Sequence, residues 1–198
     1  MAVAIIDSGG ANIASLRCAL ARLGCEADLT RDEADIRAAS HVLLPGVGAA
    51  ADAMQRLREA GLERVIPDLK QPVLGICLGM QLLFAESEEG QAGCLGIIED
   101  RVKEMQPDRN RPIPHMGWNR VRTVQDSPLF DAIEQETHFY VVHSFAAGSG
   151  ESTLATSCYG EEFSAAVSCG NFFGTQFHPE RSGSAGSRLL KNFLELAS

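Results

Sequence analysis

A cysteine set between two glycines at the end of an apolar run is the first feature of this chain that could do covalent chemistry. The segment reads Pro72-Val-Leu-Gly-Ile-Cys-Leu-Gly-Met-Gln81. Cys77 therefore has the G-x-nucleophile-x-G spacing of a nucleophile elbow, with sulfur in place of a serine oxygen. A strand that turns sharply into a helix crowds its own backbone, so small residues are needed on both sides. The turn lifts the sulfur clear of the sheet and sets it at a helix N-terminus, where the dipole favours thiolate. The same residues would also fit a core cysteine beside ordinary turn glycines.

A cysteine nucleophile needs a base, and the base needs a group that holds its ring. Gly174-Thr-Gln-Phe-His-Pro-Glu180 offers both. Pro179 biases His178 toward an extended conformation, and residues two apart in an extended chain point to the same side. Glu180 can then reach the His178 imidazole locally. A surface His-Pro-Glu turn is the competing reading, and it loses ground because the same chain carries the cysteine elbow.

A third segment, Leu43-Leu-Pro-Gly-Val-Gly48, runs from a strand into a glycine-rich loop. Gly46-Val-Gly-Ala-Ala-Ala51 formally matches a G-x-G-x-x-A dinucleotide fingerprint. Pro45, and the lack of an acidic residue closing a following strand at the expected distance, count against a cofactor site. Backbone N–H groups in such a loop beside a nucleophile would serve instead as an oxyanion hole.

Positioning these segments requires a sheet. Continuous apolar runs at 2–6, 41–44 and 73–76 read as strands, with helices at 12–23, capped by Gly24, at 50–60 and at 80–86. Fully apolar strands separated by helices predict a parallel sheet covered on both faces. From 95 to 176 the texture shifts to short β-rich runs, with strands expected at 120–124, 139–142, 165–167 and 172–176. A helix over 184–197 closes the chain. The expectation is one domain over 1–198, an α/β three-layer sandwich around a central mixed, mostly parallel sheet.

Bulk composition narrows the functional classes. The 198 residues carry 17 basic and 26 acidic side chains, a net charge of −9, and no Lys/Arg-rich run, so nucleic acid and anionic membranes are poor partners. The N-terminus has no basic n-region and no cleavage site of a signal peptide. The longest apolar stretch, 73–85, is interrupted by Gln81 and is shorter than the ~20 residues of a membrane span. The six cysteines and five histidines are scattered, without zinc-ligand spacing. A reduced, cytoplasmic protein without structural metal is expected.

At these three segments the chain resembles the class I glutamine amidotransferases, which are built on a Cys…His-x-Glu triad. Reading further, Pro45-Gly-Val-Gly48, Gly75-Ile-Cys-Leu-Gly-Met-Gln-Leu-Leu-Phe84, Pro114-His-Met-Gly-Trp-Asn119, His143-Ser144 and Gln176-Phe-His-Pro-Glu180 resemble the glutaminase subunits of imidazole glycerol phosphate synthases. The resemblance covers nearly the whole chain. It implies hydrolysis of L-glutamine to glutamate and ammonia, with Cys77 as nucleophile, His178 as base and then acid, and Glu180 as its orienter. It implies backbone donors at Gly46, Val47 and Leu78, and a glutamine site formed by Gly48, Gln81, Ser144 and Phe145. Ammonia would pass to a (βα)8-barrel cyclase subunit in histidine biosynthesis, as a heterodimer, with Asn12, Met116, Trp118, Tyr140 and Arg181 near that interface. No cofactor and no metal are implied for this subunit. His115 is given a packing role on its strand.

The chain departs from the usual pattern at four positions. Ser8 stands where an aromatic residue commonly follows Asp7, Ala11 replaces a glycine, Phe145 stands where tyrosine is frequent, and Arg181 replaces a lysine. The interface is affected most, since arginine and lysine make different contacts. Three other readings share these residues: a different class I amidotransferase, a stand-alone γ-glutamyl hydrolase, and a binding module that has lost catalysis.

Overall fold

The computed structural model describes residues 2–9 and 13–197. Asn12, expected at the partner face, lies outside the described residues, as does Ala11. Strands and helices are numbered along the chain. Nine strands form one sheet in the order β2 (Ala27–Thr30), β1 (Val3–Ile6), β3 (His41–Gly46), β4 (Val73–Cys77), β13 (Phe172–Thr175), β12 (Glu161–Cys169), β11 (Thr153–Tyr159), β8 (His115–Thr123) and β9 (Thr137–His143). Pairing is parallel from β2 to β13 and antiparallel from β13 to β9. A second sheet of four strands runs β10 (Phe145–Ala147), β7 (Ile98–Glu104), β5 (Phe84–Ser87) and β6 (Ala92–Gly93).

The parallel strands are apolar on both faces because both faces are covered. Val3, Ile5, Leu43 and Leu74 pack with Leu16 and Leu20 of α1 (Ile13–Arg22) and with Leu189, Leu190 and Phe193 of α6 (Gly183–Leu194). The alternate residues Ile6, Val42, Leu44 and Val73 pack on the other side. There they meet Ile36 of α2 (Glu33–Ala38), Met54 and Leu57 of α3 (Ala50–Glu59) and Leu62 of α4 (Leu62–Val65), and the small sheet contributes Phe84 and Val102. Phe193 is fully buried, so its truncation to alanine costs about 3–5 kcal/mol.

The expected helix at 80–86 is corrected by the structure. The helix is the single turn α5 (Leu78–Gln81), and β5 begins at Phe84. Leu82, Leu83 and Phe84 are all fully buried, so the run has no polar face to give it a period, and a buried strand suits it as well as a helix. β8 begins five residues before the expected 120, because its first half alternates buried His115 and exposed Met116 and Trp118 rather than forming an apolar run. β2 and β7 give no sequence signal for a related reason: each buries few of its residues and exposes charged ones.

Candidate functional site

β4 ends at Cys77 and α5 starts at the next residue. Cys77 has φ 55° and ψ −112°, a conformation a side chain occupies only where its surroundings enforce it. The enforcement comes from close backbone packing. A Cβ on Gly79 would lie 1.7 Å from the Leu44 carbonyl oxygen, and one on Gly75 would lie 2.6 Å from the Gly79 oxygen. Only glycine fits either place. The Cys77 sulfur is thereby held 3.7 Å from the Val142 carbonyl oxygen and 3.8 Å from Gln176 Nε2.

The His-Pro-Glu segment follows β13 and forms a short 3-10 turn at Pro179–Arg181. The turn hangs on the backbone of Tyr140 in β9. His178 N–H donates to the Tyr140 carbonyl at 2.8 Å, Tyr140 N–H donates to Ser182 Oγ at 2.9 Å, and Ser182 Oγ donates to the His178 carbonyl at 2.6 Å. Glu180 Oε1 lies 2.8 Å from His178 Nδ1, with both side chains buried. The other ring nitrogen, Nε2, is buried without a hydrogen-bond partner. Burial alone would push the imidazole down, but the Cys77 sulfur and the Glu180 carboxylate outweigh it and hold His178 up at about 10. The arrangement can therefore store a proton on the ring next to a nucleophilic sulfur and deliver it to a leaving group.

Sulfur and imidazole open on one cavity of about 300 Å³. Val47, Gly48, Leu78, Gln81, Ser144, Phe145 and Arg181 from the sequence reading line it, together with Glu89, Pro114 and His143. Gly46 pairs with Cys77 across β3 and β4 and lies instead in a small crevice behind His178 and Glu180. Ser8, where the family pattern favours an aromatic, is buried and donates to the Pro45 carbonyl at 2.7 Å, which tethers the loop at its start. Gln81 turns its amide inward, donating to the Phe145 carbonyl and to Gln176 Oε1, both at 2.9 Å.

Glu89 escaped the sequence reading. It accepts from Ala50 N–H at 2.9 Å, and burial raises its carboxyl above the ordinary range. It belongs to the run Glu86-Ser-Glu-Glu-Gly90, in which no single acid stands out; only the fold places this one in the cavity wall. Gln176, quoted in a motif but given no role, is fully buried beside the sulfur.

The expected interface residues within the described chain form one strip beside the cavity mouth. Met116 and Trp118 are 62% and 56% exposed. Trp118 faces Tyr140 across the β8–β9 ladder, edge-on at 6.1 Å between ring centroids, and the Arg181 guanidinium lies 4.4 Å above the Tyr140 ring. Arg181 also lines the cavity, so strip and cavity are continuous. No helix among the described residues is long and apolar enough to cross a membrane.

Comparison with known proteins matches residues 4–197 to the family model "Glutamine amidotransferase class-I". The imidazole glycerol phosphate synthase subunit HisH of Mannheimia succiniciproducens is 51% identical over 191 residues, covering 96% of this chain and 98% of the relative. The HisH subunit of Haemophilus influenzae is 50% identical over 193 residues, covering 98% and 96%. Among solved structures, PurLQS from Thermotoga maritima superposes with a TM-score of 0.72 at 19% identity, covering 98% of this chain and 97% of that one. A crystal structure described as a glutamine amidotransferase gives 0.74 at 22%, covering 98% and 97%. At such identities the structural matches speak for the fold alone.

Proposed function

Because this chain belongs to the class I glutamine amidotransferases, and within them to the imidazole glycerol phosphate synthase subunits typified by its HisH relatives, we propose that it hydrolyses L-glutamine at Cys77 and supplies ammonia to a (βα)8-barrel cyclase subunit in histidine biosynthesis. One observation carries the reading of the site: the sulfur of a residue held at φ 55° and a buried, partnerless imidazole nitrogen open on the same cavity.

In this reading the Cys77 sulfur attacks the side-chain amide carbon of glutamine. The carbonyl oxygen becomes an oxyanion facing the backbone N–H groups of Val47 and Leu78, which line the cavity where Gly46 does not. The C–N bond then breaks, and His178 gives its Nε2 proton to the departing nitrogen, which leaves as ammonia. Water attacks the thioester, His178 takes the proton back, and glutamate leaves with the sulfur restored. Glu180 keeps the ring oriented throughout. Glu89, the cavity carboxylate that is not tied to His178, suits the α-ammonium of the substrate, while Gly48, Gln81, Ser144 and Phe145 shape the walls. The strip of Met116, Trp118, Tyr140 and Arg181 would seat the cyclase, so that ammonia leaves the cavity into the partner. The site of action is the cytoplasm, and neither cofactor nor metal takes part in these steps.

The test uses Cys77→Ala. Glutamine-dependent synthesis by the assembled complex is expected to disappear while synthesis from free ammonium salts at high pH continues. Glutamate release persisting in Cys77→Ala would overturn the assignment.

A further inference from the structure

Two buried histidines with no part in the triad stand at the cavity, His143 in its wall and His115 behind it. His115 of β8 and His143 of β9 face each other with Nδ1 of the first 3.0 Å from Nε2 of the second. Phe163 packs against both rings, and Tyr159 stacks on His115 at 3.9 Å. The pair has a hydrogen-bond direction forced from both ends. At one end, His143 Nδ1 lies 2.9 Å from the Phe145 carbonyl, which can only accept, so Nδ1 carries the proton and Nε2 must accept. At the other end, Asn119 Nδ2 donates to the Cys158 carbonyl at 2.9 Å and lies 3.3 Å from His115 Nε2. That fixes the amide orientation, makes His115 Nε2 an acceptor and leaves the proton on Nδ1. Every member then runs one way, from Asn119 through His115 and His143 to the Phe145 carbonyl.

That carbonyl is shared. Gln81 Nε2 donates to the same oxygen and to Gln176 Oε1, and Gln176 Nε2 points at the Cys77 sulfur. Phe145 and Gln81 line the cavity. We propose that His115 and His143 are positioning residues for the glutamine site, a one-directional hydrogen-bond chain that holds the Phe145 carbonyl, and through it Gln81, in the geometry that receives substrate. This rests on the glutaminase reading. A second proton on either ring would set two N–H groups against each other, and burial holds both imidazoles at about 4, so the chain stays neutral and intact near pH 7.

Removing the His115 donor while keeping a flat ring, as in His115→Phe, frees His143 Nε2. His143 can then take the other tautomer and turn a bare nitrogen toward the Phe145 carbonyl. His115→Asn places an amide N–H where Nδ1 stood and preserves the direction. The experiment uses the full chain carrying Cys77→Ala, which binds glutamine without consuming it, and titrates L-glutamine by calorimetry. His115→Phe is expected to weaken binding about tenfold and His115→Asn less than about threefold. Imidazole nitrogen spectra of the full chain at pH 7 should show both rings protonated on Nδ1, and His143 shifting toward Nε2–H in His115→Phe. An Nε2–H tautomer at His143 in the wild-type chain would overturn the proposal. So would unchanged glutamine affinity in His115→Phe, including the case where only the melting temperature falls. A Cys77→Ala parent that binds no glutamine would overturn the glutaminase reading itself, and it is recognised because the control fails before any histidine is changed.

Discussion

Cys77 and Gly79 are adjacent constraints of opposite kind, one residue strained for its chemistry and another kept bare so that the strain can exist. Gly79→Ala would drive a methyl into the Leu44 carbonyl, so the variant is expected to lose about 3 kcal/mol or more of stability, read as a lower urea midpoint. His178 gives a prediction in pH. Its folded value of about 10 lies above the ordinary 6.5. The stability it contributes is therefore complete below pH 6.5 and is lost as pH rises through 10. The imidazolium is also the acid for the leaving nitrogen, so kcat/KM should fall above about pH 10. Glu180→Gln removes a charge that holds the proton. It should move that alkaline limb to lower pH and cut kcat on the order of 10³–10⁴-fold. An unmoved limb in the pH profile would show that Glu180 is not what holds it. At this scale the sequence is readable: the elbow, the His-Pro-Glu turn and Val47 and Gly48 of the glycine loop line one cavity, with Gly46 in the crevice behind it. Glu89 and the His115–His143 pair are not, because their partners lie on other strands at distances along the chain that no local pattern marks.

The paired strands β8 and β9 do two jobs on their two faces. Inward, His143 stands in the cavity wall with His115 behind it, while Tyr140 hangs the triad turn through its backbone. Outward, Met116 and Trp118 are left uncovered, and large exposed apolar and aromatic groups of this kind dominate binding hot spots. Trp118→Ala should weaken binding to the cyclase subunit by ~10- to 100-fold while leaving the melting temperature of the free chain unchanged, checked by calorimetric titration and thermal melts. The inner face predicts a different pH effect. Both histidines titrate at about 4 in the folded chain against 6.5 ordinarily. The unfolded chain therefore takes up more protons between those values, and stability present above pH 6.5 is lost as pH falls toward 4. The urea midpoint should drop across that window, and less steeply in His115→Phe. The alternation on β8 is the obstacle to reading it: its first five residues carry His115 in a buried hydrogen bond and leave Met116 and Trp118 exposed, so only its last four, 120–123, are legible as a strand.

Across the whole molecule the cavity sits where the parallel strands end, beside the edge formed by β8 and β9, and Arg181 joins it to the exposed strip. Gly48 in the oxyanion loop has φ 89° with open space around it, whereas Gly46 is pressed against Leu78. The loop is thus tethered by Ser8 at its start and by the Ala50 N–H to Glu89 bond beyond its end, with open space only at Gly48 between them, and a peptide rotated away from the oxyanion would cost ~10²–10³ in turnover. Glutamate release by the chain alone is expected to be slow, and to rise at least about 100-fold with the cyclase and its nucleotide ligand present; equal steady-state rates would exclude such control. What the sequence by itself determined is whatever short-range spacing encodes: the nucleophile at its elbow, the histidine with its carboxylate two residues on, the apolar runs of the parallel strands and the helices that cover them. Only the tertiary structure decided that the run after Gln81 becomes a strand, that Glu89 rather than its acidic neighbours faces the cavity, and that Gln176 and His115 back it while His143 enters its wall. The physical reason is that hydrophobic periodicity and turn chemistry are local properties of the chain, whereas the direction of a buried hydrogen bond is set by whichever groups the sheet order brings opposite each other.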